Sequence, residues 1–329
     1  MTIRVRRFVF GAVRFAIAVA VLVFLARTGR VDWSALGGLI DHWGALLFAL
    51  GLVTLLFLLV AWRLCILLRA RALHLSLRDS MELSLVTNLF TLVLPGGGGD
   101  IVRLYYTTRN SPGRRTEIAT VLLLDRITGL LALTLFPLIA APMCLPLIDQ
   151  SRVLQTLVVL AAGASLAVVA ILAVAMSRGA RAIRVVQWLL RTVPLRGYLA
   201  LMLDTLQGFR TNLRALVAAV GISLLAHSVG MVVFVLLAEV MHPSEAHLAV
   251  PFLAALGMMA NNLPLTPGGL GVGEAAFESL FGIARLQGGA EALLGWRMML
   301  LALAPIGLWF YLRGRATMRI QASQAIRAP

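Results

Sequence analysis

The sequence predicts an all-α, polytopic transmembrane helical bundle with two re-entrant or broken-helix hairpins in inverted-repeat halves. Three observations predict this fold class. The 329 residues are 60% hydrophobic and 13% charged, with a mean hydropathy of +0.93, which is typical of multi-pass membrane proteins. Several apolar runs can cross a hydrocarbon core about 30 Å thick, which takes about 20 helical residues. Two further apolar segments are interrupted by Pro-Gly-Gly, one in each half of the chain.

The uninterrupted apolar runs predict the membrane spans. The first run follows a cluster of N-terminal arginines and lacks a small-x-small cleavage site, so we interpret it as a retained helix rather than a signal peptide. The other runs are separated by short polar or basic stretches. The predicted spans are Phe8 to Ala26, Ala45 to Trp62, Ile118 to Leu147, Val153 to Met176, Ala215 to Ala238 and Ala292 to Leu312.

The two broken segments are predicted at residues 82–104 and 251–287. Peptide groups that leave a helix at membrane depth cannot be satisfied by lipid, so this backbone must face a cavity, a solute or other protein. One break in each half is typical of transporters built from inverted repeats, with the binding site between the halves. Pairing Pro95 with Pro267 relates the two halves by a shift of 172 residues.

The basic excess indicates topology. All 29 basic residues are arginines, and with 14 acidic residues they give a formal net charge of +15. Most of the arginines fall in cytoplasmic stretches if both termini are cytoplasmic, as the positive-inside rule requires. We therefore expect a bacterial-type inner (plasma) membrane protein that is attracted to anionic lipid and does not bind nucleic acid.

The chain is predicted to form a single integral membrane domain, residues 1–329. Its first half covers about 1–176 and its second half about 215–329. Residues 177–214 mix arginines with Trp188 and several leucines, which predicts a helix lying in the cytoplasmic interface.

Polar residues near the first break are candidate ligands. Consecutive glycines expose backbone N–H groups, and Asp100 can cap a helix that continues through Arg103. The N-terminus of such a helix attracts an anionic group. Asp125 and Arg126 lie within a span, where ionised groups are costly unless they face protein or water. We expect Arg103 or Arg126 to pair with Asp100, which leaves one positive group for an anion; the alternative is an ion network that only fixes the break.

The second break contains further candidates. Asn261 and Asn262 either bind a ligand or bridge the carbonyl groups that the prolines free. Glu274 can bind a proton or pair with an arginine. No catalytic residue, metal ion or cofactor is predicted, because no catalytic constellation and no metal-ligand spacing is present. The predicted substrate-binding residues are Asn88, Pro95, Gly96, Gly97, Gly98, Gly99, Asp100, Arg103, Asp125, Arg126, Asn261, Asn262, Pro267, Gly268, Gly269, Gly271 and Glu274.

Three motifs in order resemble those of a known family. They are Pro95-Gly-Gly-Gly-Gly-Asp100-x-x-Arg103, Asp125-Arg126-x-x-Gly129 and Pro264-x-x-Pro267-Gly-Gly-x-Gly271-x-x-Glu274. The chain resembles the lysylphosphatidylglycerol synthase membrane-region family, also called flippase-like integral membrane proteins. The resemblance implies that in the two-part members a membrane domain of this kind moves an aminoacylated lipid between leaflets. In two-part members a separate cytoplasmic domain makes that lipid, and we expect no such aminoacyltransferase domain here because the chain ends soon after its last span.

The expected function is translocation of a phosphate-bearing lipid or lipid-linked intermediate between leaflets. Some relatives accompany polyprenyl-phosphate glycan or hopanoid pathways, so the lipid itself stays open. The alternative is a membrane-embedded transferase or an accessory subunit that presents a lipid to a glycosyl- or aminoacyl-transferase, with Asp100 as the candidate base. A small-ion or solute carrier is a third interpretation. Expected partners are anionic or polyprenyl-phosphate-linked membrane lipids and, for the alternative, a lipid-modifying transferase.

Overall fold

The structure is a computed structural model, and it describes most of the chain from residue 39 onward. The predicted first span, the break residues Pro95, Gly96 and Gly97, and residues 180–186 and 188–195 of the predicted interfacial loop lie outside the described residues. The described ranges are 39–93, 98–109, 112–179, 187, 196–242, 247–263, 266–313 and 321–322.

The described ranges form helices joined by short turns. Five segments within them are long and apolar enough to cross a membrane, and they coincide with the five predicted spans after Phe8 to Ala26. Outside the helices, Leu73–His74 pairs with Gln321–Ala322 in a short antiparallel ladder. The helices are α1 (Trp43–Arg69), α2 (Leu77–Val93), α3 (Gly98–Thr108), α4 (Arg115–Ala140), α5 (Leu145–Asp149), α6 (Arg152–Met176), α7 (Arg196–Gly208), α8 (Leu213–Met241), α9 (Val250–Asn261), α10 (Val272–Ile283) and α11 (Gly289–Leu312).

Each predicted broken segment is a pair of short helices in the structure. The first pair is α2 and α3, which are about 26 Å and 16 Å long at 1.5 Å per residue. The second pair is α9 and α10, each about 18 Å long. All four are shorter than a hydrocarbon core of about 30 Å, so neither segment is one continuous span.

The second break depends on glycine backbone geometry. Gly268, Gly269 and Gly271 have φ angles of 61°, 71° and 79°, in the left-handed region that L side chains rarely adopt. Pro267–Gly269 forms a single 3₁₀ turn between the two helices. α9 has already ended at Asn261, and the Pro-Gly-Gly sequence turns the chain into α10.

The four helices around each break repeat along the chain. The shift of 172 residues carries α1 onto 215–241 and α4 onto 287–312, which nearly coincide with α8 and α11. It carries α2 and α3 onto 249–265 and 270–280, which overlap α9 and α10. The first repeat is therefore α1 to α4, and the second repeat is α8 to α11.

The two repeats pack in opposite directions. Among the described helices, α1 and α8 share the most extensive contact. The end of α1 meets the start of α8, where the Asn212 amide donates to the Ala70 carbonyl over 3.1 Å. Nearer the helix centres, Leu56 lies against Gly230. The two helices are thus antiparallel, as the inverted-repeat prediction requires.

The two repeats also contact each other through their second and fourth helices. α2 packs against α11, and α9 packs against α4. Gly307 brings α11 so close to α2 that a Cβ there would lie 2.4 Å from the Leu85 carbonyl oxygen. The Asn88 amide donates to the Leu300 carbonyl over 2.9 Å in the same contact. The breaks are therefore held where the two repeats meet.

Candidate functional site

Asp125 lies in a buried ion cluster built by three helices of the first repeat. Its carboxylate has no solvent exposure and accepts two hydrogen bonds from Arg63, from Nε over 2.7 Å and from Nη2 over 2.9 Å. Arg103 on α3 donates to the same carboxylate from Nη1 over 2.9 Å. Two guanidinium groups therefore compensate one carboxylate, as a charge removed from water requires.

The second repeat contributes to this cluster through α8. The remaining Arg63 donor, Nη1, binds the Ser223 hydroxyl over 2.8 Å, and that hydroxyl donates to the Ala219 carbonyl. Gly129 makes room for the arginine, because a Cβ at that position would lie 2.9 Å from Arg63 Nη1. The Asp125 cluster, defined as Asp125, Arg63, Arg103 and Ser223, therefore crosses the boundary between the repeats.

Arg103 keeps one edge of its guanidinium without a protein partner among the described residues. Its Nε and Nη2 atoms are buried and make no hydrogen bond there, although the side chain is only 12% exposed. These two donors point the same way and form the edge that binds two oxygens of one phosphate or carboxylate. Because a buried unpaired donor is costly, this edge is suited to an anion.

Asp100 and Arg126 form a second ion pair between α3 and α4. Their carboxylate and guanidinium are in direct contact, and the side chains are 45% and 53% exposed. The pair lies on the same two helices as the contact between Arg103 and Asp125. Adjacent residues Asp125 and Arg126 thus have different partners, which agrees with the roughly 100° between successive residues of a helix.

Glu274 is the centre of a buried cluster in the second repeat. One carboxylate oxygen accepts from the Gly271 backbone N–H over 2.7 Å and so caps α10. The other lies 2.8 Å from Arg297 Nε on α11. Arg297 also donates to the Gly268 carbonyl over 2.8 Å and to Asn261 Oδ1 over 2.9 Å. The Glu274 cluster, defined as Glu274, Arg297, Asn261 and the Gly268–Gly271 backbone, therefore fastens both ends of the break to α11.

Equivalent helices of the two repeats carry ion pairs of opposite polarity. In the first repeat, the helix after the break provides the cation, Arg103, and the next long helix provides the anion, Asp125. In the second repeat, the helix after the break provides the anion, Glu274, and the next long helix provides the cation, Arg297. The shift of 172 residues relates Asp125 directly to Arg297.

The remaining predicted residues have local roles in the structure. The Asn88 amide links α2 to the α11 backbone, and the Asn262 amide donates to the Met258 carbonyl one turn earlier. Gly98 and Gly99 are buried where α3 begins, and a Cβ on Gly99 would overlap α2. The Met258 carbonyl also accepts from the Asn262 backbone N–H and is not one that the prolines of the break free, so the bridging interpretation of Asn261 and Asn262 stays a prediction. Substrate binding by any predicted residue stays a prediction.

Three residues that organise these clusters are missing from the predicted site. By sequence, Arg63 belongs to the basic stretch after the span Ala45 to Trp62, yet it lies inside α1 and is buried. Arg297 sits in an apolar run, and Ser223 is an ordinary small polar residue of a span. An arginine flanked by apolar residues, as Arg297 is, was the one signal that could have identified a partner for Glu274.

Among the described residues, no three His, Cys, Asp or Glu side chains come together in a group that could hold a metal ion. The chemistry offered by the described clusters is that of charge: hydrogen-bonding cations, carboxylates and a helix N-terminus at a break. Such groups can bind an anionic headgroup and can exchange ion-pair partners. They do not resemble a nucleophile with its base.

Fold and site together define a class: a polytopic helical membrane protein with paired, oppositely oriented repeats, each containing a broken helix and an ion pair. The chain belongs to the family described as Lysylphosphatidylglycerol synthase TM region, whose model matches residues 11–316. Membership associates the chain with a membrane context of lipid synthesis or translocation. No curated protein and no solved structure shows a significant match to the chain.

Proposed function

We propose that the protein is a lipid translocase of the inner membrane, which moves a phosphate-bearing lipid between leaflets. The headgroup would cross beside the two breaks while the acyl or prenyl tails remain in the bilayer. The single observation that carries this proposal is the buried Nε and Nη2 edge of Arg103, which has no partner among the described residues and lies on the helix that follows the first break. An oxyanion with two coplanar oxygens satisfies such an edge.

The half-exposed pair of Asp100 and Arg126 supports the same function. Because both side chains reach the surface of the described structure, a passing headgroup can exchange with either partner. The N-terminus of α3 adds the partial positive charge of a helix dipole near the break. These groups offer a polar route along α3 and α4 in an otherwise apolar bundle.

The Glu274 cluster supports the proposal that the second break moves during transport. Glu274 is fully buried and is compensated by Arg297 alone among the described ionisable side chains. Protonation of Glu274, or transfer of Arg297 to the headgroup, would release the Gly268 carbonyl and Asn261 from α11. Coupling would then come from proton binding or from partner exchange.

A reconstituted leaflet-exchange assay tests the proposal. Purified protein in vesicles is given fluorescent phosphatidylglycerol, and a membrane-impermeant quencher reports the fraction that changes leaflet. We expect wild-type protein to accelerate exchange and the variants Arg103→Gln, Asp100→Asn, Arg126→Gln and Glu274→Gln to slow it. The exposed arginine of α6 provides a matched control, Arg152→Gln, which should exchange lipid at the wild-type rate. Wild-type rates of leaflet exchange from all four of these variants would refute the proposal.

A further inference from the structure

The charges around Arg103 indicate what kind of phosphate group the site accepts. We infer that the site takes a phosphodiester headgroup with one negative charge and discriminates against headgroups with two, such as phosphomonoesters and diphosphates. The inference rests on the proposed function for the location of the ligand. It concerns binding preference, which is measured without any transport.

The charge of the Asp125 cluster is the first step. Arg63 and Arg103 contribute two positive charges, and Asp125 contributes one negative charge. The neighbouring pair of Asp100 and Arg126 is neutral. The described ionisable groups that contact one another here therefore leave a surplus of one positive charge, which one negative charge on a ligand would cancel.

Burial makes the surplus positive charge costly unless an anion compensates it. The Nε and Nη2 atoms of Arg103 are inaccessible to water, and in such surroundings an uncompensated ionic charge is strongly unfavourable. A monoanionic diester restores neutrality. A dianion would bring a second negative charge without a partner, and it would do so one turn from the Asp100 carboxylate, which lies three residues before Arg103 on α3.

The contact with Asp125 defines which edge of Arg103 a phosphate would meet. Asp125 binds Arg103 through Nη1 over 2.9 Å and so holds the guanidinium plane. The opposite edge then presents two parallel N–H donors to the two unesterified oxygens of a phosphodiester. A diester has these two oxygens and one charge, which matches both the donors and the charge surplus.

The inference predicts a charge switch. Asp100→Asn leaves Arg126 without its partner and raises the surplus to two positive charges, so the preference should move toward a dianion by about tenfold or more. Arg126→Gln leaves Asp100 without its partner, lowers the surplus to zero and should move the preference the other way. The double variant Asp100→Asn/Arg126→Gln restores a surplus of one and should restore the wild-type ratio.

Binding is measured by competition in a phosphate-free detergent micelle at about pH 8.5, where a phosphomonoester with a second pKa of about 6 carries two negative charges. The probes are dihexanoylphosphatidylglycerol, dihexanoylphosphatidic acid and dihexanoylglycerol, which supply one, two and no charges on the same tails. Dimethyl phosphate supplies the monoanionic diester without tails. Arg103→Gln should weaken both charged lipids, and Arg152→Gln should leave the ratio unchanged.

Several results would overturn the inference. One is equal affinity of the wild type for the two charged lipids. Another is a ratio of these two affinities that is unchanged in both Asp100→Asn and Arg126→Gln. A third is a double variant whose ratio differs from the wild-type ratio. Dimethyl phosphate that binds as tightly as dihexanoylphosphatidylglycerol would assign the site to a free anion instead of a lipid. If the wild-type protein prefers the monoanionic lipid but does not exchange lipid between leaflets, the translocase proposal is refuted and this inference still stands.

Discussion

Asp125 is compensated by two arginine partners inside the bundle. It is fully buried, and Arg63 and Arg103 together supply three donors to its two oxygens. A neutral replacement would leave two buried guanidinium groups facing an amide. The cost of breaking such a cluster is therefore set by the charges that remain.

The Asp125→Asn variant tests this dependence. We expect the free energy of unfolding to fall by about 3 kcal/mol, because removing one member of a buried ion pair leaves uncompensated charge. Thermal unfolding in detergent measures the change. The exposed carboxylate of α5 supplies the control Asp149→Asn, which should unfold at nearly the wild-type temperature. Similar unfolding temperatures for the two variants would show that the Asp125 cluster is not stabilising.

Single residues also show what sequence reasoning can and cannot find. Asp100, Arg126 and Glu274 were identifiable because an ionisable residue inside an apolar run is conspicuous. Arg63 was not identifiable, because the positive-inside rule does not distinguish a buried arginine near the end of a span from a cytoplasmic arginine beside it. Ser223 binds Arg63 across 160 positions of sequence, and no local pattern encodes that distance.

The broken helices are held by close approach of backbone and side chain. Asn261 ends α9, and its side-chain oxygen lies 2.3 Å from the position that a Cβ on Gly273 would occupy. The same oxygen accepts a hydrogen bond from Arg297. The glycine of α10 thus permits the contact that ties the end of α9 to α11.

The Gly273→Ala variant tests this contact. The added methyl group should displace Asn261 and lower the free energy of unfolding by about 1–3 kcal/mol, as overpacking does. Gly282→Ala lies on the same helix with no atom near its new Cβ and should be neutral or stabilising by up to about 1 kcal/mol. Denaturation in detergent measures both. A Gly273→Ala protein as stable as Gly282→Ala would contradict the proposed packing.

The elements themselves were largely predictable. Long apolar runs identify the described spans, and proline with several glycines identifies the breaks, because both signals are local and backbone-based. Which helix each break packs against was not predictable. Arg297 follows Asn261 by 36 residues, and only the folded arrangement of α9, α10 and α11 makes them neighbours.

The described part of the molecule contains two oppositely oriented four-helix repeats, α1 to α4 and α8 to α11, and α5, α6 and α7 lie between them along the chain. In that arrangement each helix pair, α2 with α3 and α9 with α10, should enter and leave on a single side of the membrane, and the two pairs should use opposite sides. This re-entrant topology is the whole-molecule prediction. The pattern of arginines predicts the cytoplasmic side for the first pair.

Single-cysteine labelling measures the topology. In a background with Cys65→Ala and Cys144→Ala, Leu77→Cys and Gly113→Cys mark the two ends of the first pair at exposed positions. We expect both to be protected from a membrane-impermeant thiol reagent in intact cells and to react after lysis. Leu248→Cys and Gln287→Cys flank the second pair and should react in intact cells. Opposite behaviour of the two ends of either pair would show that the pair crosses the membrane.

The antiparallel contact between α1 and α8 bears on the origin of the fold. Leu56 meets Gly230, and the shift of 172 residues carries each of these positions to within two residues of the other. A local axis of twofold symmetry therefore passes close to this crossing. Two separate copies of an ancestral half, inserted in opposing orientations, would have met along the same helix. The connection between the repeats contains α5, α6 and α7, and the opposite charges of Asp125 and Arg297 show that the two repeats are not identical where they correspond.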